Sequence, residues 1–367
     1  MIVYSKINGV TVKITDIDAG PGSVSFDDIA EFLTIVTGSP CDVVPPFVAS
    51  VVEFLNCDPS NWPMLFPAQT RDKIIHETME KLRNLLSQEV VKKYFMTWVS
   101  IREFLNKLSI VKIDEPVWSK NLPKNQHAAK NSVRKGHAKI KYSTCGSATG
   151  RLTMTAGPNF LTLPKELRTA IRPHEAGSSI FSIDFSSLEP RVVLFTTKQS
   201  CDTEDIYSDV MQICDISDRK IAKLATISAL YGASSNRLAM TIGDRSAAKS
   251  LLENVSRYFN VPELEEKLAC QSENEMVRNY FGRPLREATK NKRIRINHYI
   301  QSSAADLANL LFHKFCEQNE YIRPLLVIHD AMIVEVPHCK IDLFLSSSRT
   351  IEYDGYQFPT KVETLHN

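Results

Sequence analysis

Apolar and polar positions follow two rhythms along this chain. In "YSKINGVTVKITD" they alternate on either side of Asn8-Gly9, which predicts a hairpin. Ser25, followed by Asp28, opens a predicted helix over "FDDIAEFLTIV", ended by Gly38 and Pro40, and another helix is expected after Pro46 in "FVASVVEFL". From Arg71 to about Leu108 the period becomes helical. Ile74, Ile75, Met79, Leu82 and Leu86 fall at helical steps, predicting long helices that pack as a hairpin. Short strands and turns are expected through "IKYSTCGSATGRLTMTAGPNFLTLP" into "SSIFSIDF". Helical spacing returns in "DRKIAKLATISALYG" and "RINHYIQSSAADLANLLFHKFCEQ", and "RPLLVIHDAMIVEVP" predicts two apolar strands joined tightly at His329-Asp330. A short helix, "KIDLFLSSS", and a last strand, "FPTKVET", close the pattern.

Composition narrows the class without naming a function. The 367 residues suffice for one large domain or two to three subdomains, and 43% hydrophobic with 23% charged residues is ordinary for a globular protein. Net charge is only +2, but its distribution is uneven. Between Lys120 and Lys141 lie Lys124, Lys130, Arg134, Lys135 and Lys139 with no acid among them. Such a block is either a solvated loop or a clamp for a nucleic-acid backbone. The eight cysteines are scattered, without CxxC pairs, which argues against a disulfide framework or structural zinc. Neither a signal core nor a run of about 18 apolar residues is present, so the expectation is a soluble, cytoplasmic protein with no membrane partner.

Two strand ends carry the candidate chemistry. "SIDFSSLEPR" delivers Asp184 where an apolar strand should continue, followed by Glu189 and Pro190, and "LLVIHDAMIVEV" delivers Asp330 in the same way. In one antiparallel sheet the two carboxylates would lie side by side and raise each other's pKa unless a positive charge intervened. Two divalent ions would supply it and would clamp the attacking and leaving oxygens of a phosphoryl transfer, although hydrolases use the same physics. Arg219, Lys223, Ile227 and Tyr231 are spaced by four and share a helix face. Two cations, an apolar residue and an aromatic suit a triphosphate and a base, or alternatively an exposed face with Tyr231 in the core.

Together these segments resemble the family A (polymerase I-like) DNA polymerases, from about Tyr142 onward. "TGRL" with "PNFLTLP", "DFSSLEPR", "RKIAKLATISALYG", "GRPLREA…RIRINHYIQSSAAD" and "VIHDAMIVEVP" follow one another in family order. The resemblance implies an α+β, right-hand fold with an antiparallel-sheet palm, helical fingers and helical thumb. It implies template-directed addition of dNTPs to a primer 3′ end. Asp184 and Asp330 would bind two magnesium ions, replaceable by manganese, with the Phe185 carbonyl as a further ligand. Glu189 would exclude ribonucleotides, Arg219 and Lys223 would hold the triphosphate, and Ile227 and Tyr231 would face the nascent base pair. Arg151, Asn159, Arg293, Asn297 and Gln301 would contact primer-template DNA, and His329 the primer terminus. Lys130, Arg134, Lys135 and Lys139 would meet the DNA backbone. Arg191 and Asp306 are expected to be structural.

Several positions depart from the family pattern. Phe185 replaces Tyr, Ile227 replaces an aromatic residue, Ala331 replaces Glu, and Pro190 directly follows the sugar-selecting acid. The expected division is an N-terminal region of unknown role (1–70), a thumb with the basic segment (71–141), palm (142–197 and 291–367) and fingers (198–290). Its brevity suggests a minimal phage-type enzyme in a host cytoplasm, without an exonuclease domain. A separate exonuclease, helicase/primase or processivity factor would then be a partner. The alternatives are a single-subunit RNA polymerase or primase-like enzyme, and a catalytically weak nucleic-acid-binding protein on the same fold.

Overall fold

A computed structural model describes residues 1–7, 10–16, 23–39, 66–123, 126–200, 203–231, 235–274 and 276–366. The chain divides into one unit of Met1–Asn106 with Phe281–Pro284, and a second of Lys107–Tyr280 with Leu285–Asn367. In the first unit the alternating segments pair as antiparallel strands β1 (Ile2–Ile7) and β2 (Val10–Asp16), and β3 (Ser23–Ser25) runs parallel to β1. The Asn8-Gly9 turn and the segment after Pro46 lie outside the described residues.

Helix α1 (Phe26–Thr37) begins after an extended Ser25 and ends at Gly38, whose φ of 77° suits a residue without a Cβ. Ser25 makes no side-chain cap; Asp28 instead meets Arg102 at 2.5 Å. The long helical stretch is broken at Ser87-Gln88 into α2 (Ala68–Leu86) and α3 (Glu89–Lys107). Phe32 of α1 packs among Tyr94, Phe95 and Trp98 of α3, with ring centroids 4.7–5.9 Å apart. Burying each such ring contributes about 1.5–3 kcal/mol, so this aromatic cluster is a main source of cohesion in the unit.

The second unit opens with small elements: β4 (Val111–Ile113), α4 (Glu115–Asn121), α5 (His127–Asn131) and β5 (His137–Ala138). A hairpin follows, β6 (Lys141–Ser143) with β7 (Thr153–Ala156), and then β8 (Ile171–Arg172), which pairs with β4. The centre is a five-stranded sheet ordered β10-β11-β9-β13-β12. Its strands are β9 (Ser178–Phe185), β10 (Arg323–Ile328), β11 (Ala331–Pro337), β12 (Thr350–Tyr353) and β13 (Tyr356–His366), with every neighbouring pair antiparallel. A central strand is covered on both faces, which is why β9 reads as a continuous buried run rather than an alternation. Phe181 and Phe185 stand on one face and pack on Phe344 and Phe312, each pair 5.0 Å between centroids. Ile180, on the other face, joins a core with Trp118, Phe160, Leu167 and Ile333.

Between β9 and β10 the chain is helical: α6 (Leu188–Thr196), α7 (Ile206–Cys214), α8 (Arg219–Leu230), α9 (Ser235–Ile242), α10 (Arg245–Tyr258), α11 (Val261–Asn274), α12 (Arg286–Lys290) and α13 (Lys292–Gln318). These helices share a core that includes Ala222, Ala225, Ala229, Leu251, Phe259 and Tyr299. The last helix, α14 (Ile341–Ser347), contributes Phe344 to the sheet. Asp306 is buried on α13 and accepts from Asn279 Nδ2 at 2.7 Å.

Candidate active site

The two acidic strand ends meet. Asp184 is the penultimate residue of β9, directly opposite Ala331 on β11, and Asp330 precedes Ala331 in the two-residue turn from β10. His329 makes that turn at a left-handed φ of 56°. The backbone N–H of Phe185 donates to the Asp330 carbonyl at 3.3 Å, tying the two carboxylate-bearing tips together. Asp184 is open to a cleft of about 690 Å³. Desolvation within the cleft, reinforced by the charge of Asp330, raises its pKa to about 6, against the pull of Arg168, Lys165 and Lys361.

Past Phe185 the chain turns sharply. Ser186 N–H donates to the Pro359 carbonyl at 2.8 Å, Ser187 takes a φ of 55°, and α6 begins at Leu188. Pro190 is therefore the third residue of a helix, where its missing N–H has no carbonyl to lose, and the departure costs little. Glu189, beside it, is held at both oxygens: Arg151 Nη2 donates to Oε1 and the Tyr231 hydroxyl to Oε2. Gly150, at φ 73°, makes the turn that delivers Arg151. Burial and the bond to Glu189 both raise the Tyr231 pKa, and Gln301 hydrogen-bonds the same tyrosine. Arg191 is buried and donates to the carbonyls of Ser186, Thr203 and Glu204, so it fastens the 203–205 segment to the end of β9.

Helix α8 presents the expected face. Ala222, Ala225, Thr226 and Ala229 are buried, while Arg219, Lys223 and Ile227 line the cleft. Tyr231 caps the helix, joined to the cleft through Glu189. Arg219 is not free: Asp205 accepts its Nε at 2.8 Å and its Nη2 at 3.1 Å, and its guanidinium lies over the Tyr207 ring at 5.0 Å. The bond to Arg219 is the main reason the Asp205 pKa is lowered.

The cleft thus gathers Asp184, Phe185, Asp330, Glu189, Arg219, Lys223, Ile227, Arg151, Gln301 and His329. Asn159 and Asn297 do not line it. Asn159 Oδ1 accepts from Leu161 N–H, and Asn297 Oδ1, one turn before Gln301, is buried without a hydrogen-bond partner among the described residues. Arg293 stands on α13; its side chain lies outside the described residues. Lys130, Arg134, Lys135 and Lys139 are all exposed around α5 and β5. Sequence reasoning missed Asp205, Tyr207 and Lys361, which also line the cleft. Asp205 precedes a helix and reads as an ordinary N-cap, which it also is.

Two carboxylates and a nearby carbonyl make a sparse, all-oxygen donor set, and among the described residues no cluster of three or more His, Cys, Asp or Glu side chains gathers. That set fits magnesium, which takes one or two carboxylates and completes its shell with water and substrate phosphates.

Comparison with known proteins bears on this geometry. The model of DNA polymerase family A matches residues 118–352. The chain belongs to DNA polymerase family A. It is 26% identical over 245 residues to DNA polymerase I of Caldicellulosiruptor bescii, an alignment covering 57% of this chain and 29% of that protein. It is 27% identical over 177 residues to the DNA polymerase of Mycobacterium phage L5, covering 44% of this chain and 29% of that one. The chain spans less than a third of the length of the curated relatives it matches. Its fold resembles the POL domain of Pol1 from M. smegmatis, a structure in complex with DNA primer-template and dNTP. The TM-score is 0.51 at 21% identity, covering 65% of this chain and 49% of that chain. The match contains Asp184, Asp330 and α8, so this member of family A carries its departures inside the matched region. Phe185 packs its ring on Phe312, Ile227 is half-buried at the cleft wall, and Ala331 is buried beside Asp184.

Proposed function

We propose that this chain is a template-directed DNA polymerase that adds dNTPs to a primer 3′ end by two-magnesium nucleotidyl transfer. The observation carrying it is the backbone-tied pair Asp184 and Asp330, which lines one cleft together with Arg219 and Lys223. In a right-hand arrangement the five-stranded sheet serves as palm, α7–α12 as fingers, and the long helices with the basic segment as thumb. Asp184, Asp330 and the Phe185 carbonyl would hold the metal ions, with manganese able to replace magnesium. Bound there, such ions supply Lewis-acid activation of the 3′-hydroxyl and neutralise phosphoryl charge.

The remaining work belongs to side chains. Arg219 and Lys223 bind the triphosphate, and Ile227 and Tyr231 flank the nascent base pair. Glu189, fixed by Arg151 and Tyr231, stands where a ribose 2′-hydroxyl would need room and so selects deoxyribose. This favours DNA over RNA synthesis. His329 steadies the primer terminus. Arg151, Gln301, Asn159, Asn297 and Arg293 follow primer-template DNA near the site, and Lys130, Arg134, Lys135 and Lys139 meet its phosphates further away. The chain acts without 3′–5′ proofreading, as a phage-type enzyme in a host cytoplasm, with exonuclease or helicase functions on separate partners.

The test is primer extension with Asp184→Ala and Asp330→Ala. Each is expected to abolish extension while primer-template affinity, and its steep decline with salt, stay near wild type. Ordinary extension by either variant refutes the metal assignment. A mismatched 3′ end incubated without nucleotides is expected to remain unshortened; shortening by wild type would reveal a nuclease.

A further inference from the structure

Among the described residues, four Lys or Arg side chains line the cleft: Arg151, Arg219, Lys223 and Lys361. Two are engaged, Arg151 with Glu189 and Arg219 with Asp205. The two lysines have no ion-pair partner within the second unit's described residues. Lys223 belongs to the expected triphosphate site. Lys361 comes from a different element, β13, and no part of the proposed mechanism uses it.

Register gives Lys361 its position. It is the direct partner of Asp184 in the β9–β13 pair, as Ala331 is in the β9–β11 pair. Directly opposed residues share a face, so Ala331, Asp184 and Lys361 form a row across the three central strands. Asp184 is thus flanked by a methyl group on the Asp330 side and an ammonium on the other. No salt bridge joins Lys361 to Asp184. Glu363, two residues along the same face of β13, is occupied by Lys165 at 3.1 Å. An exposed cation without a salt bridge among the second unit's described residues remains beside Asp184, lining the same cleft as Arg219 and Lys223.

We infer that Lys361 is a sheet-side anchor for the β- and γ-phosphates of the incoming nucleotide and for the pyrophosphate that leaves. The inference rests on the polymerase reading. In the transfer, the primer 3′-oxygen forms a bond to the α-phosphorus and its proton passes to water. The bond from the α-phosphorus to the bridging oxygen breaks, and its electron pair leaves on pyrophosphate. Negative charge therefore grows on the leaving group between the helix cations and Lys361. Cations carried by two different elements, the helix α8 and the strand β13, hold a polyphosphate at more than one point, and charge-assisted contacts of this kind are the strong ones.

The experiment compares wild type, Lys361→Ala and Lys361→Arg in the full chain. Product inhibition by pyrophosphate and the KM for dNTP are measured in extension, pyrophosphate affinity by calorimetry without DNA, and primer-template affinity by anisotropy against salt. For Lys361→Ala the pyrophosphate dissociation constant and the KM for dNTP are each expected to rise about tenfold or more, with primer-template affinity within about twofold. Lys361→Arg should recover most of both. Unchanged pyrophosphate and dNTP constants overturn the inference. So does a loss of primer-template affinity with a shallower salt slope, which would assign Lys361 to a DNA phosphate. Failure of wild type to extend any primer overturns the polymerase reading instead, and calorimetry then still decides whether Lys361 binds pyrophosphate.

Discussion

Glu189→Ala separates a sugar-selecting acid from a merely structural one. The substitution removes an acceptor shared by Arg151 and Tyr231. Arg151 is half exposed, at 51%, so water replaces most of its contact and the lost ion pair costs about 0–1 kcal/mol. The Tyr231 hydroxyl is half-buried and loses a bond worth roughly 1 kcal/mol. Stability should therefore fall by about 1–2 kcal/mol, leaving a folded enzyme. Selectivity should move independently of this modest loss, because removing an obstacle acts only on the ligand it obstructs. The ratio of kcat/KM for a deoxynucleotide to that for its ribonucleotide is expected to fall at least about tenfold, or ~1.4 kcal/mol. Single-nucleotide incorporation on one primer-template measures both terms. Tyr231→Phe and Arg151→Ala keep the carboxylate but each frees one of its oxygens, so each should lower the ratio partway. If all three variants lose activity with both sugars equally, Glu189 supports the turn and selects nothing.

Further outcomes are expected elsewhere in the cleft and the sheet. Asp205→Asn breaks the fork that orients the half-exposed Arg219; the KM for dNTP should rise severalfold with little change in melting temperature, and an unchanged KM would detach Asp205 from nucleotide binding. In the presence of a chelator, Asp184→Asn should stabilise the protein at pH 7 by about 1 kcal/mol after discounting for its exposure. The sign follows from a folded pKa of about 6 lying above the unfolded value. The folded state holds the extra proton between about pH 4 and 6, so wild type loses stability as pH rises through that window, and the gap between variants should close below about pH 4. Glu335 behaves oppositely. Burial works to raise its pKa, but His174 and Glu175 N–H groups at 3.0 Å, the His174 ring at 2.9 Å and the Arg323 charge outweigh it, and the net shift is downward. Its contribution is present above about pH 4.3, the unfolded value, and is lost as pH falls through the folded pKa. Urea midpoints of Glu335→Gln should therefore converge on wild type in acid; a constant gap from pH 7 to 3 would contradict this.

Much of the site is legible in one dimension because strand and helix periods are local properties of the backbone. An acid at the tip of an apolar strand stands out wherever it occurs, and Asp184 and Asp330 do so twice. Residues spaced by four share a helix face, which is why Arg219, Lys223 and Ile227 group together in the sequence alone. Local rules stop where one element meets another. Nothing between Asp205 and Arg219 announces an ion pair, since N-capping alone accounts for an aspartate before a helix. Lys361 reads as one polar position in an alternating strand, and only the register of β13 against β9 sets it opposite Asp184; a slip of one residue would turn it to the other face. Pro190 departs from the family pattern in the sequence, yet it is tolerated because α6 begins two residues before it. In each case the deciding quantity is a contact between segments distant in sequence, selected by packing of the whole sheet and its helices rather than by any local preference of the chain.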